Sequence, residues 1–434
     1  MLKVYPDSKN YTATVVKIKN TFPLPGLDNL VGVSVFGNVC IIPKSYDLND
    51  LYIFFPSETA LSNQFLSANN LYRNSNFNSD QIQKGYFEEN GRVKAIKLKG
   101  NKSTGVVMPT SSLSNIISKF ELKEGDEFNA INDIEICRKY VVNKPGANLG
   151  GSKPTKVLDE IIDSKMFPEH FDTAQLLRNL NNLNLTDRIV ITLKLHGTSA
   201  RVAHTLIKKK LKWYEKLAIK LGIDVKTEEY GYVVGSRRVV KSINMKPLSG
   251  KQHFYEEDLW TKVAMIEFNG KLNQGEAVYF EIIGTDFTGA EIQKGYNYGY
   301  PVPTVFVYRI TNINSQGIEV DLSWEQVMDR CFQLGVNPVP MVANTMIVSF
   351  IHSRIGHQAL NANADWRAEL ETILKKEYMD KTSYLDSSVI EEGICVRKEA
   401  YPTPQVYKMK APLFLLHETQ LNDKEVVSIE DTQS

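Results

Sequence analysis

Lys194 ends the run Arg188-Ile189-Val190-Ile191-Thr192-Leu193, whose β-branched density suits a buried strand. Gly197 and the small residues Thr198-Ser199-Ala200 follow and let the backbone turn closely around a ligand. An amine so placed is a candidate nucleophile, although a lone lysine at a strand end is usually a solvated edge residue. Four charged signals downstream change that balance. They are Arg237 in Gly235-Ser236-Arg237-Arg238, Glu281 in the apolar run Val278 to Gly284, Glu392 in Glu392-Gly393-Ile394-Cys395-Val396, and the pair Lys408 and Lys410. Gathered around one pocket, they suit attack of an amine on phosphorus. The amine must be neutral to attack, so burial and nearby cations must bring it down from about 10.4. Arg237, Lys408 and Lys410 supply those cations and stabilise the crowded anionic transition state. Glu392 can hold a hard divalent cation, Mg²⁺ or Mn²⁺, often through water. Glu281 can accept hydrogen bonds from sugar hydroxyls; its plainer reading is a carboxylate paired with a structural arginine.

Three further positions could serve the same pocket. Tyr308 lies in the strand-like run Val305 to Ile310 and can stack on a base, with Phe306 the same-face alternative by parity. His196 shares a strand face with Lys194 and can contact a phosphate, although a single histidine more often makes a structural hydrogen bond. Ser199 and Arg201 would line the turn and reach ribose or phosphate oxygens.

Strands and turns must position these residues. Up to about Tyr140 the sequence predicts short strands at Thr12 to Lys19, Leu30 to Ile42, Leu51 to Phe55, Arg92 to Leu98 and Val106 to Met108, enough for a small barrel. Alternation in Ile96-Lys97-Leu98-Lys99 places an apolar face inward and lysines toward a phosphate backbone or solvent. Turn formers from Lys144 to Pro154 mark a boundary. Helices are expected at Val157 to Ile162, Thr173 to Leu180 (Asp172 as N-cap), Ser323 to Leu334 and Asp365 to Lys376. Between Ile207 and Leu221 the apolar positions follow helical spacing among lysines. That basic amphipathic helix could rest on phosphates or on an anionic membrane, or pack on the domain with its lysines solvated.

Composition bounds the rest. At 434 residues, 42% hydrophobic and 23% charged, the chain reads as two or three globular domains, and a net charge of +1 excludes a uniformly basic nucleic-acid binder. Four scattered cysteines argue against a zinc site or a disulfide framework and for a reducing compartment. With no apolar leader and no run of transmembrane length, a cytoplasmic location is expected, with neither membrane nor obligate protein partner.

The ordered lysine, arginine, glutamate, glutamate-glycine and lysine-x-lysine motifs resemble those of covalent nucleotidyltransferases. With Lys97-Leu98-Lys99-Gly100, Ser103-Thr104-Gly105, Gln293-Lys294-Gly295-Tyr296 and Leu322-Ser323-Trp324-Glu325, the chain resembles ATP-dependent RNA ligases of the Deinococcus type. That resemblance implies an α+β architecture: an OB-like β-barrel over 1–144, a linker over 145–156, and an adenylyltransferase domain of antiparallel sheets with flanking helices over 157–434. The basic helical insertion falls near 205–226. It further implies that Lys194 takes AMP from ATP, transfers it to a 5′-phosphate RNA end, and that a 3′-hydroxyl then displaces AMP, as in RNA repair. Backbone groups of Leu193 and Leu195 would flank adenine, and Ser199 and Glu281 would meet the sugar side. Arg237 would meet phosphate or the RNA end, Lys408 and Lys410 the nucleotide phosphates, and Glu392 the metal. The histidine at 196 instead resembles ligases that seal nicks in duplexes. Arg309 stands where the family often has aspartate. A DNA ligase or GTP-using capping enzyme, and a catalytically silent OB-containing RNA-binding protein, are the alternatives.

Overall fold

The strand that carries Lys194 lies in the larger of two compact units into which the chain divides. The computed structural model describes residues 1–141, 161–247, 258–356 and 365–423. The expected linker at 145–156, and most of the helix expected at Val157 to Ile162, fall outside them. Among the described residues, 1–141 with 370–380 and 410–423 form the first unit, and the remainder form the second.

In the first unit the central sheet runs Gly105–Pro109, Leu51–Pro56, Ala13–Lys17, Glu127–Phe128, with an apolar cluster on each side. The predicted strand Leu30 to Ile42 is a hairpin, Leu30–Val35 against Asn38–Pro43, turning at Phe36-Gly37, where both residues have positive φ. The other strands fall into separate small sheets, so no closed barrel is found among the described residues. Ile96–Leu98 pairs with Asn101–Ser103, yet all three of its residues are exposed. The inward apolar face expected there is not formed, since Ile96 and Leu98 both stay exposed. The C-terminal helix Pro412–Asp423 belongs to this unit: the Thr419 hydroxyl donates to Glu58 at 3.0 Å, Arg92 pairs with Asp423 at 3.0 Å, and Phe414 is fully buried.

The second unit uses β1 (Ala174–Gln175), β2 (Arg188–Lys194), β3 (Thr198–Lys208), β4 (Glu228–Ser236), β5 (Val240–Ile243), β6 (Glu276–Ile283), β7 (Thr304–Ile313), β8 (Met341–Met346), β9 (Gly393–Lys398) and β10 (Gln405–Lys410). One sheet has the order β1-β10-β9-β2-β8; the other contains β5-β4-β3-β6-β7. Apart from β1 on β10, the ladders named here are antiparallel where their registers are defined. Helix Trp324–Leu334 starts at Ser323 with a full capping box and stops at Gly335 in the left-handed region, as its sequence predicts. Thr173 to Leu180 is not helical. Ala174 and Gln175 pair in parallel with Tyr407 and Lys408, the Gln175 side chain accepts from the Arg178 N–H, and Asp172 pairs with Arg237 instead of capping a helix.

Candidate active site

β2 and β3 are consecutive in sequence but belong to different sheets, so the chain crosses between them at Leu195-His196-Gly197. Lys194 is the last residue of β2, opposite Gly393. Thr198 opens β3 opposite Ile282, with Ser199 opposite Glu281. The crossing needs glycine for space: a Cβ on Gly197 would lie 2.4 Å from the Ile282 carbonyl oxygen and 2.9 Å from Cγ of Glu281. Sequence alone indicated that Gly197 permits close approach, and what approaches is the backbone of β6.

At this crossing the Lys194 Nζ lies 2.7 Å from Oε1 of Glu392, which is 1% exposed. His196 is buried with its Nδ1 3.9 Å from the other Glu392 oxygen. Burial pushes the Cys395 thiol up to about 11; Lys194 and Lys408 act against that rise, and Glu392 and Glu281 add to it. One sulfur therefore feels four of the predicted side chains, which come from β2, β6, β10 and the residue before β9, and so from both sheets.

Arg201, Arg237 and Tyr308, with Ser199 bonded to Tyr308, form a second group around His170. Burial, followed by Arg309, Arg237, Arg201 and Lys408, holds His170 well below its usual range. Its ring lies edge-on to Tyr308 at 5.0 Å. The Tyr308 hydroxyl is 2.7 Å from Ser199 Oγ, and burial and then Glu281 push its ionisation upward. A bulge in the β6–β7 ladder pairs Tyr279 with Arg309 and Phe280 with Val307. It leaves Tyr308 without a rung and separates it from Phe306, which is buried against Tyr300. Strand parity had not distinguished these two aromatics. Arg237 pairs with Asp172, which Arg238 also approaches at 3.9 Å. Arg201 is buried over the Phe167 ring and donates to the Phe167 carbonyl at 3.2 Å, so it packs within the sheet face instead of lining the turn. Lys410 pairs with Glu418 at 2.8 Å. Leu193 and Leu195 are buried, and the Leu193 N–H donates to the Pro340 carbonyl at 2.9 Å.

Three residues to which sequence reasoning gave no separate role brace the crossing. The Gln293 amide donates to the Gly197 carbonyl at 2.6 Å, the His196 N–H donates to the Tyr298 hydroxyl at 2.9 Å, and the Tyr296 ring meets the His196 ring edge-on. The Tyr296 hydroxyl donates to the carbonyl of Ile390, two residues before Glu392. Their signal was the glycine- and tyrosine-rich composition of the stretch after β6.

Among the described residues no cluster of three or more metal-binding side chains occurs. The donor set fits a hard cation held by one carboxylate, Glu392, with the remaining ligands from water or phosphate, and does not fit an all-protein cage.

A family model for RNA ligases matches residues 187–410, just over half of the chain and the span from β2 to β10. No curated protein matches the sequence. Among solved structures, a Naegleria gruberi RNA ligase variant with AMP and Mn is similar over 93% of this chain and 97% of its own, with a TM-score of 0.56 and 17% identity. The Naegleria gruberi RNA ligase with pyrophosphate is similar over 96% and 99%, with a TM-score of 0.55 and 16% identity. A further variant, with ATP and Mn, is similar over 97% and 99%, at 0.56 and 15%. At such identities these likenesses speak for the fold alone, whereas the family match covers every strand that carries a predicted site residue. This chain belongs to the RNA ligase family.

Proposed function

We propose that the chain is an ATP-dependent RNA ligase that joins 3′-hydroxyl and 5′-phosphate ends through a lysyl-AMP intermediate on Lys194. The observation that carries this reading is the pairing of Lys194 with buried Glu392 at the crossing between sheets, with Glu281 and Lys408 acting on the same surroundings. In this arrangement Lys194 is the ammonium half of an ion pair, and an ammonium has no lone pair for attack. Attack therefore needs Nζ to part from Glu392 and give its extra proton to water, and Glu392 would then be available to hold a divalent cation, Mg²⁺ or Mn²⁺. Such a cation, when bound, screens the departing pyrophosphate.

The neutral Lys194 Nζ then attacks the α-phosphorus of ATP. The N–P bond forms, the α–β anhydride breaks, pyrophosphate leaves, and the amine loses a proton. An oxygen of the RNA 5′-phosphate next attacks the same phosphorus, returning Lys194 and leaving RNA capped by AMP. The 3′-hydroxyl attacks the RNA phosphorus, and AMP departs as the phosphodiester forms. Glu281, Ser199 and Tyr308 form the wall for the sugar and base. Arg237, Lys408 and Lys410 serve the phosphates, and His196 serves a later phosphate contact. The ATP- and AMP-bound states of the Naegleria gruberi ligase support the choice of nucleotide. Deinococcus-type organisation, with the first unit as an OB-like RNA-binding module, and a repair role at nicks in duplexes are parts of the same proposal.

Incubation with α-labelled ATP or GTP and Mg²⁺ or Mn²⁺, followed by denaturing electrophoresis, tests the reading. Label from ATP on wild type and none on Lys194→Ala is expected. Label from GTP alone would point to a capping enzyme. Sealing of nicked RNA but not nicked DNA is then expected, with a nicked duplex preferred to free single strands.

A further inference from the structure

The strand that begins beside Lys194 ends in a feature the ligation chemistry does not use. β3 pairs with β6 only as far as Ala203, but with β4 it continues from His204↔Tyr232 to Lys208↔Glu228. The outer part of this ribbon carries the helix Trp213–Lys220 at its crest. Ile207 and Lys208, expected in the helix, belong to the strand, and the helix has no buried residue. Trp213 is 77% exposed and Leu221 69%, and Tyr214, Leu217, Ile219 and Ile223 are exposed as well. At helical spacing Trp213, Leu217, Leu221 and Tyr214 share one side, with Lys216 and Lys220 flanking it.

The helix is held firmly at its start. Glu215 accepts from the Lys212 N–H at 2.7 Å and pairs with Lys209 at 2.6 Å. A domain that folds an amphipathic helix this way, with its apolar side outward on a braced support, presents that side to something else.

We propose that this crest docks on an anionic membrane surface. Residues 208–226 contain seven lysines against only Glu215 and Asp224, so the segment is strongly cationic on a chain of net charge +1. An indole and a phenol beside aliphatic side chains suit the boundary between headgroups and acyl chains, and lysines beside them reach the headgroups. RNA would use the charge and one or two rings for stacking but would leave Leu217, Leu221 and Ile223 in water, and the segment has no arginine to fork onto phosphate. Among the described residues no helix is long and apolar enough to cross a membrane, so the contact is interfacial.

Flotation of the full-length protein with vesicles tests this. With phosphatidylcholine and phosphatidylserine mixed, wild type should float at low salt, at least about tenfold more than with phosphatidylcholine alone. Trp213→Ala/Leu217→Ser/Leu221→Ser should lower binding at least about tenfold, and Lys210→Gln/Lys216→Gln/Lys220→Gln on the order of a hundredfold. Both variants should keep the wild-type melting temperature and transfer of label from ATP, since all six side chains lie far along the ribbon from Lys194. Wild type that stays at the bottom of the gradient overturns the proposal, as do variants that float like wild type. If vesicles are ignored while the aliphatic variant loses RNA affinity or breaks a dimer, RNA or a second copy is the occupant.

Discussion

Two cations in the second unit sit in opposite circumstances. Arg309 donates through Nε and Nη2 to the two oxygens of Asp321, at 2.6 and 2.9 Å, lies 3.0 Å from Glu319, and stacks over the rings of Phe171 and Tyr279. The hydrogen bond to Asp321, with Tyr279 and the two carboxylates behind it, drives its ionisation upward against the cost of burial. Lys194 instead pairs with Glu392 at 2.7 Å and is only partly buried. A planar fork gripped by carboxylates is a permanent charge that ties β7 to its neighbour. A compact ammonium on a flexible stem is a charge more readily given up. A third group completes the series. Glu391 is buried, accepts from the Tyr384 N–H, and lies next to Glu392; burial pushes it up to about 7, with Glu392 adding to the rise against its hydrogen bonds. The three groups thus differ in how their charge is met: Arg309 by a carboxylate fork, Lys194 by the Glu392 carboxylate, and Glu391 by suppression of the charge itself.

Substitutions along that series should separate chemistry from stability. The largest effect is expected for Glu392→Ala, which removes the carboxylate that would hold the divalent cation. Label transfer from ATP per folded molecule should fall on the order of a hundredfold or more, measured by single-turnover labelling of Lys194. Retention of wild-type rates would break the contrast with Arg309. Arg309→Met should leave labelling within about threefold while lowering unfolding free energy by about 3–5 kcal/mol in a denaturant titration, because Asp321 is left buried without its cation. The smallest effect belongs to Glu391. The folded chain retains that proton to higher pH than the unfolded chain, so the associated stability is complete below about pH 4.5 and is lost as pH rises through about 7. The loss should be about 3 kcal/mol, read from unfolding curves between pH 5 and 8. Glu391→Gln, neutral throughout, should remove that part of the slope.

Lys194, Glu281, Glu392 and Lys408 stood out in the sequence because their types and order are those such a reaction would require. The strands that carry them were legible because β-branched runs such as Arg188 to Thr192 have few other uses. Gln293, Tyr296 and Tyr298 had no such signature: what matters is where a polar loop ends up, and their partners Gly197, His196 and Ile390 are about a hundred residues away in sequence. Thr173 to Leu180 misled because helical spacing competed with a parallel pairing to Tyr407 and Lys408 that no local pattern encodes. The short strands of the first unit were mostly visible. Their failure to close was not, since closure depends on register between segments far apart. Arg201 was misplaced for a related reason, because its counterpart Phe167 comes from the end of a single helical turn well before β2.

The crossing at Leu195-His196-Gly197 also fixes what the chain can vary. Side chains alternate along each strand, so one residue gained or lost between Lys194 and Thr198 would turn Ser199 and Arg201 to the opposite side of their sheet while the amine stayed in place. Reach between Lys194 and the side chains of β3 is thus counted in whole residues and admits no gradual adjustment. The far end of the same strand, where its partnership with β4 continues alone, carries no such restriction and is where a whole helix has been accommodated.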